Sequence, residues 1–179
     1  MQTEEILIPA WVDGRLQPVE KLDAHLRGLR HQAVSIFVTR GRETLIQRRA
    51  AGKYHTPGLW ANTCCTHPAW NEDGLTCAHR RLREELGMSG LELRRGPGIE
   101  YRADVGGGLI EHEVVEVFVA EAPHDVAVTL NPEEVSEVQW VNVAELAEET
   151  RRTPDIFTPW VRIYLQDHLE AIFGPVDAA

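Results

Sequence analysis

Apolar positions recur along the chain at two spacings, and the switches between them mark strands and helices. Ile6-Leu7-Ile8-Pro9-Ala10-Trp11-Val12 reads as a strand meeting Asp13-Gly14, a turn pair that favours a hairpin. Residues 18–30 are polar. Residues 33–38 read as a buried strand, Gly41 breaks it, and residues 44–49 return as a second. Residues 52–58 form a loop, after which Asn71-Glu72-Asp73 opens a helix over roughly residues 72–86. Its Leu75, Ala78, Leu82 and Leu86 stand three and four apart, and Gly87 supplies the stop. Residues 91–93 and 99–102 suggest strands, Gly106-Gly107-Gly108 a loop, and residues 109–120 a long strand. A strand over 135–141, an amphipathic helix over 143–151 and one last helix from Phe157-Thr158-Pro159-Trp160 through Ile172 complete the pattern. Such alternation predicts an α/β (α+β) chain, a mixed sheet flanked by helices.

Length and charge narrow the function classes. The 179 residues, 43% of them hydrophobic, suffice for one domain over residues 1–179 and not for two comfortable ones. No run approaches the roughly 20 apolar residues of a membrane span, and Met1-Gln2-Thr3-Glu4-Glu5 is acidic where a secretory leader needs positive charge, so a cytoplasmic protein with no membrane partner is expected. Three cysteines, two of them adjacent, fit reduced thiols better than a disulfide framework. A net charge of −10 argues against nucleic acid as a partner. Basic islands still stand out: Arg48-Arg49, Lys53, Arg80-Arg81 and Arg83 suit a small polyanion.

Candidate chemistry gathers at Trp60-Ala61-Asn62-Thr63-Cys64-Cys65-Thr66-His67-Pro68, where adjacent thiols precede a histidine. A second candidate is the strand over 109–120. Period-2 geometry puts Glu111 and Glu113 on the face that Val115, Val117 and Val119 mark as apolar. Paired carboxylates aimed at a core call for a cation, unless a bulge at His112 turns one of them outward. His25 and His31 are six residues apart, about 240° on a helix, and so reach one ion only if the chain bends between them. Arg81 with Glu85, and Arg80 with Glu84, share helix faces and could equally be surface ion pairs.

With the thiol stretch, the helix ending Arg80-Arg81-Leu82-Arg83-Glu84-Glu85-Leu86-Gly87, and Glu111-His112-Glu113 taken together, the chain resembles type 1 isopentenyl-diphosphate delta-isomerases over nearly its whole length. The resemblance implies the Nudix fold, an α/β/α sandwich around a mixed sheet. Glu72, Arg80, Leu82, Glu84, Glu85 and Gly87 fit the Nudix signature, whereas Thr66 replaces its glycine and Arg81 a metal-binding glutamate. Reversing that charge suits an enzyme that holds a diphosphate without cutting it. By matched position, His25, His31, His67, Glu111 and Glu113 would bind one Mn²⁺ or Zn²⁺. Cys65 and Glu113 would be the acid/base pair, and Mg²⁺ would be shared between Glu85 and the diphosphate. Lys21, Arg49, Lys53 and Arg81 would bind the diphosphate of an allylic or homoallylic substrate, with Tyr101 and Trp160 lining the pocket, in a monomer or weak homodimer. The implied reaction is a 1,3-proton shift through a tertiary carbocation. Two rival readings are a Nudix diphosphate hydrolase, which leaves the cysteines and histidines unexplained, and a metal-stabilised binding module without activity.

Overall fold

The structure, a computed structural model, describes residues 6–176; the acidic Met1-Gln2-Thr3-Glu4-Glu5 run lies outside the described residues. The opening hairpin is present as β1 (Leu7–Val12) and β2 (Arg15–Glu20), paired antiparallel from Leu7↔Glu20 to Val12↔Arg15. Its turn places Asp13 at φ 49° and Gly14 at φ 77°, the doubly left-handed geometry that matches strand twist. A short helix α1 (Lys21–Leu26) follows, capped by the Glu20 carboxylate on the amides of Leu22 and Asp23. It ends before His31, so the chain bends between the two histidines, with Gly28 at φ 59° in the bend.

The long strand β3 (Arg30–Arg40) is the spine of a nine-stranded mixed sheet. On one side it runs parallel to β8 (Leu109–Glu121), with Arg30↔His112 through Thr39↔Glu121 in unbroken register. There is no bulge at His112. Beyond β8 lies β7 (Arg94–Gly106). On its other side β3 meets β4 (Glu43–Arg49) only at Thr39 and Arg40, then parts from it. Two short strands occupy the parting: β5 (Trp60–Ala61) on β4, and β6 (Cys64–Thr66) on β3. Side chains replace the missing ladder there. Thr63 Oγ1 accepts from the Val38 amide at 2.9 Å and donates to the Leu45 carbonyl at 2.5 Å, and Asn62 donates to the Ile36 and Cys64 carbonyls. The outer strand β9 (Val135–Asn142) pairs with β4.

Helices cover both faces of the sheet. On one face α2 (Gly74–Leu86) buries Cys77, Ala78, Leu82 and Leu86 against Val34, Ile36, Val38 and Phe118. The opposite face is covered by α3 (Val143–Arg152), α4 (Pro159–Asp167) and α5 (Leu169–Phe173), whose Leu146, Trp160, Tyr164, Leu165 and Ile172 pack on Phe37, Val115, Val117 and Val119. The expected α/β/α sandwich is therefore observed. Three boundaries differ from expectation. The helix expected from Glu72 starts at Gly74, because the Asp73 side chain caps the Thr76 amide. Leu91-Glu92-Leu93 is not a strand; Leu91 instead packs into the α2-side core. The last helix is two, since His168 leaves the helical region at φ −131°.

Gly87 ends α2 at φ 63°, and a Cβ there would lie 2.8 Å from Thr129 Cβ. Gly87→Ala should therefore cost about 2 kcal/mol from left-handed strain and overpacking, a fall of about 4–8 °C in Tm by thermal denaturation. An unchanged Tm would show that neither the left-handed backbone nor the Thr129 contact is costly, and would overturn the prediction.

Candidate active site and metal centre

One cavity opens at the parting of β3 and β4, lined from both helical layers. Every element around it contributes chemistry: Lys21 from α1, Gln47 and Arg49 from β4, Lys53, Tyr54 and His55 from the following loop, and Cys65, Thr66 and His67 from β6 and its exit. Arg81 and Glu85 of α2, Glu111 and Glu113 of β8, Glu134 before β9 and Trp160 of α4 complete the wall. The structure thus brings Cys65 and Glu113 to the same space.

Strand parity sorts the residues. Val115, Val117 and Val119 belong to the α4-side core, and Glu111 and Glu113 share that side, 3% and 0% exposed. Cys64 and Cys65 point to opposite faces, Cys64 into the α2-side core and Cys65 against the α4-side one. The basic islands divide as well. Arg49 and Arg81 turn into the cavity, whereas Arg48 pairs with Glu137 and Arg80 with Glu72 and Glu84 on the outside. Arg83 does not line the cavity.

At the inner end, His25, His31, His67 and Glu113 each offer a ligand atom within 4.8 Å of one another, and Glu111 forms an adjoining group with His25 and His55. His25 Nδ1 donates to the Lys21 carbonyl at 2.6 Å and His31 Nδ1 to the Leu29 carbonyl at 2.7 Å. Those bonds fix the tautomers and aim both Nε2 lone pairs inward, where neither finds a hydrogen-bond partner. The phenol of Tyr101 supports both carboxylates, 2.9 Å from Glu111 and 2.8 Å from Glu113. Buried, orphaned imidazole nitrogens beside supported carboxylates fit a divalent ion. Protonation alone does not neutralise the cluster. Burial and the neighbouring His31 hold His25 down at about 4, and burial with the Lys21 and histidine charges holds His67 well below its usual value. For His31 burial works in the same direction, but the charge of Glu113, 3.7 Å from its Nε2, outweighs it and its pKa is raised.

At the outer end, cations are gathered by acids. Arg81 binds Glu85 at 2.6 Å, Glu84 at 2.9 Å and Glu134 at 3.2 Å, while Lys53 binds Glu134 at 2.5 Å. Glu85 is also held by Gln47 at 3.0 Å, so both its oxygens are engaged. Arg49 stacks over Trp160 with its guanidinium carbon 5.2 Å from the ring centroid, and the Trp160 indole nitrogen is buried without a partner. Burial first, then Lys53 and Arg81, lower the Lys21 pKa to about 8. A bound diphosphate relieves that repulsion and favours the protonated amine. Affinity for inorganic diphosphate should therefore weaken as pH rises above about 8, by up to about tenfold per pH unit, with proton uptake on binding. Calorimetric titration in two buffers of different ionisation enthalpy checks this, and a pH-independent affinity with no proton uptake counts against it.

Burial, followed by Glu113 and Glu111, raises the Cys65 pKa well above its usual value, with the Ser35 hydroxyl opposing. The residue is a neutral thiol at ordinary pH, able to give a proton. His55, Tyr54, Glu134 and Gln47 line this cavity although neither spacing nor motif singled them out. His55 Nε2 lies 3.1 Å from Glu111, and the only local hint of it was its place in the loop that carries Lys53.

Comparison with known proteins gives the family. Residues 29–161 match the NUDIX domain family. An isopentenyl-diphosphate Delta-isomerase of Cereibacter sphaeroides is 66% identical over 168 residues, 94% of this chain and 95% of that protein. One of Dinoroseobacter shibae is 65% identical over 95% of this chain and 97% of its own length. Among solved structures, a Deinococcus radiodurans protein superposes with a TM-score of 0.72 at 15% identity, over 90% of this chain and 98% of that one. A MutT Nudix hydrolase of Burkholderia pseudomallei does so at 0.59 and 19% identity, over 78% of this chain and 98% of that one. These last two likenesses speak for the fold alone. With the sandwich, the altered signature helix and relatives matched almost end to end, this chain belongs to the Nudix superfamily, in the family of type 1 isopentenyl-diphosphate delta-isomerases.

Proposed function

We propose that this chain interconverts isopentenyl and dimethylallyl diphosphate for isoprenoid synthesis, with Cys65 and Glu113 as the proton-transfer pair. The observation that carries the reading is their shared cavity, with cationic side chains gathered at its mouth and a histidine–carboxylate cluster behind it. One of the pair adds a proton to the terminal alkene carbon, the electron pair of the double bond forms the new C–H bond, and a tertiary cation is left. The other removes a proton from C2, and that C–H pair becomes the new double bond.

An unactivated alkene is a weak base, and a positioned acid typically supplies only about 10²–10⁴-fold, so the cation itself needs stabilising. A carboxylate such as Glu113 at about 4 Å contributes on the order of 4 kcal/mol at an effective dielectric of 20. The Trp160 ring is a candidate for a further 2 kcal/mol or so. One face of that ring already carries Arg49, so the cation would have to use the ring's other face. Lys21, Arg49, Lys53 and Arg81 hold the diphosphate, and Tyr101 orients Glu113.

Mn²⁺ or Zn²⁺ in the histidine–glutamate cluster would compensate the buried carboxylates, and Mg²⁺ shared between Glu85 and the diphosphate would offset its charge. The chain is taken to work as a single domain over residues 1–179, as a monomer or weak homodimer, in the cytoplasm. The free thiols of Cys64, Cys65 and Cys77 are consistent with a reducing compartment, and no helix among the described residues is long and apolar enough to cross a membrane.

Incubation with isopentenyl diphosphate and Mg²⁺ in D₂O should give deuterated dimethylallyl diphosphate without release of phosphate. Release of phosphate with no isomer formed would point to a hydrolase instead.

A further inference from the structure

We infer that Ser35 and Tyr164 are positioning residues for the Cys65 thiol, forming a string of hydroxyls behind the sulfur that turns the thiol hydrogen toward the cavity. This rests on the proposed role of Cys65. Ser35 stands directly opposite Cys65 in the β3–β6 register, on the same face of the sheet. Its Oγ is 3.2 Å from Cys65 Sγ and 2.9 Å from the Tyr164 hydroxyl. Ser35 and Tyr164 are both 0% exposed. Edge contacts with Phe37 at 5.7 Å and Tyr101 at 5.9 Å between ring centroids hold the Tyr164 ring in place.

The direction of the string follows from counting hydrogens. Among the described residues, the Tyr164 hydroxyl has no hydrogen-bond partner other than Ser35. Were the thiol to donate to Ser35, either the phenolic hydrogen of Tyr164 or, if Ser35 accepted from both neighbours, the Ser35 hydrogen would be buried without an acceptor. In the reverse order Tyr164 donates to Ser35 and Ser35 donates to the sulfur, so both hydroxyl hydrogens are used. The thiol hydrogen then lies away from Ser35, on the open side of the sulfur. The same donor serves the sulfur after it has lost its proton, when a hydrogen bond to it is stronger. One arrangement thus suits both ends of the proton transfer, and Tyr164 acts only through Ser35.

The test uses the full chain loaded with metal and compares Ser35→Ala, Tyr164→Phe, the double variant and Cys65→Ala. Losing the donor to sulfur should lower kcat about 10- to 100-fold in Ser35→Ala, with KM for isopentenyl diphosphate within about twofold. Tyr164→Phe, which keeps the ring, should lose about 3- to 10-fold, and the double variant no more than Ser35→Ala. The S–H stretching band of Cys65, assigned by its absence in Cys65→Ala, should move in both single variants. The inference is overturned if Tyr164→Phe or a folded Ser35→Ala leaves kcat and that band unchanged while Cys65→Ala is inactive. If Cys65→Ala is itself active, the role of Cys65 falls, and with it the reason for the string.

Discussion

Cys65→Ala is expected to lower kcat for isomerisation by at least about 10³-fold, with circular dichroism and diphosphate affinity close to those of the parent. The argument is positional. Cys65 and Glu113 reach one cavity from two strands, and no other cysteine does. Cys64 faces the α2-side core at 0% exposure, and burial pushes its thiol well above the usual range. Cys77 lies inside α2, with burial and Glu72 raising its pKa to about 12. Cys64→Ala and Cys77→Ala should therefore keep most activity and lose only a little stability, since each removes one small buried atom. Deuterium incorporation from D₂O reads the chemical step directly. An active Cys65→Ala, or an inactive Cys64→Ala, would assign the chemistry to a different side chain.

The strand alternation that exposed Glu111 and Glu113 as misplaced acids was legible because a strand writes its two faces into the sequence at period 2, and β8 keeps that period without a bulge. The bend between His25 and His31 was legible as a requirement, since one helix could not carry both. Parity also explains why Arg49 and not Arg48 enters the cavity, but only after the register is known. What stayed hidden is carried by contacts between distant elements. Ser35 and Tyr164 are 129 positions apart, and nothing in the neighbourhood of either announces the other. Glu134 reaches Lys53 and Arg81 from a loop whose composition is unremarkable for a turn. His55 sits in a loop that has no period to break. Thr63, to which no motif assigned a role, bridges β3 and β4 through Val38 and Leu45, and its neighbour Asn62 ties β6 to β3. Local pattern encodes the layers, whereas the mouth of the cavity is built by loops, where backbone course is set by tertiary contacts.

Removal of divalent metal is expected to abolish isomerisation and to lower the Tm by about 8–16 °C. His25, His31 and Glu113 are 0% exposed, and the Nε2 atoms of both histidines lack partners, so without an ion the cluster holds desolvated lone pairs beside buried carboxylates. Protonation offers little relief at two of the histidines, since burial keeps His25 near 4 and His67 well below its usual value. An ion that binds the folded chain alone, at about a thousand times its Kd, adds about 4 kcal/mol to stability, and each kcal/mol moves the Tm of a chain of this size by about 2–4 °C. Chelation followed by thermal denaturation measures the structural part. Readdition of Mn²⁺ or Zn²⁺, with deuterium incorporation as the readout, measures the catalytic part. The two can separate. A chelated protein that loses stability yet still isomerises at low temperature would make the ion a structural brace. One that keeps its Tm and its activity would leave the three histidines without an ion to hold.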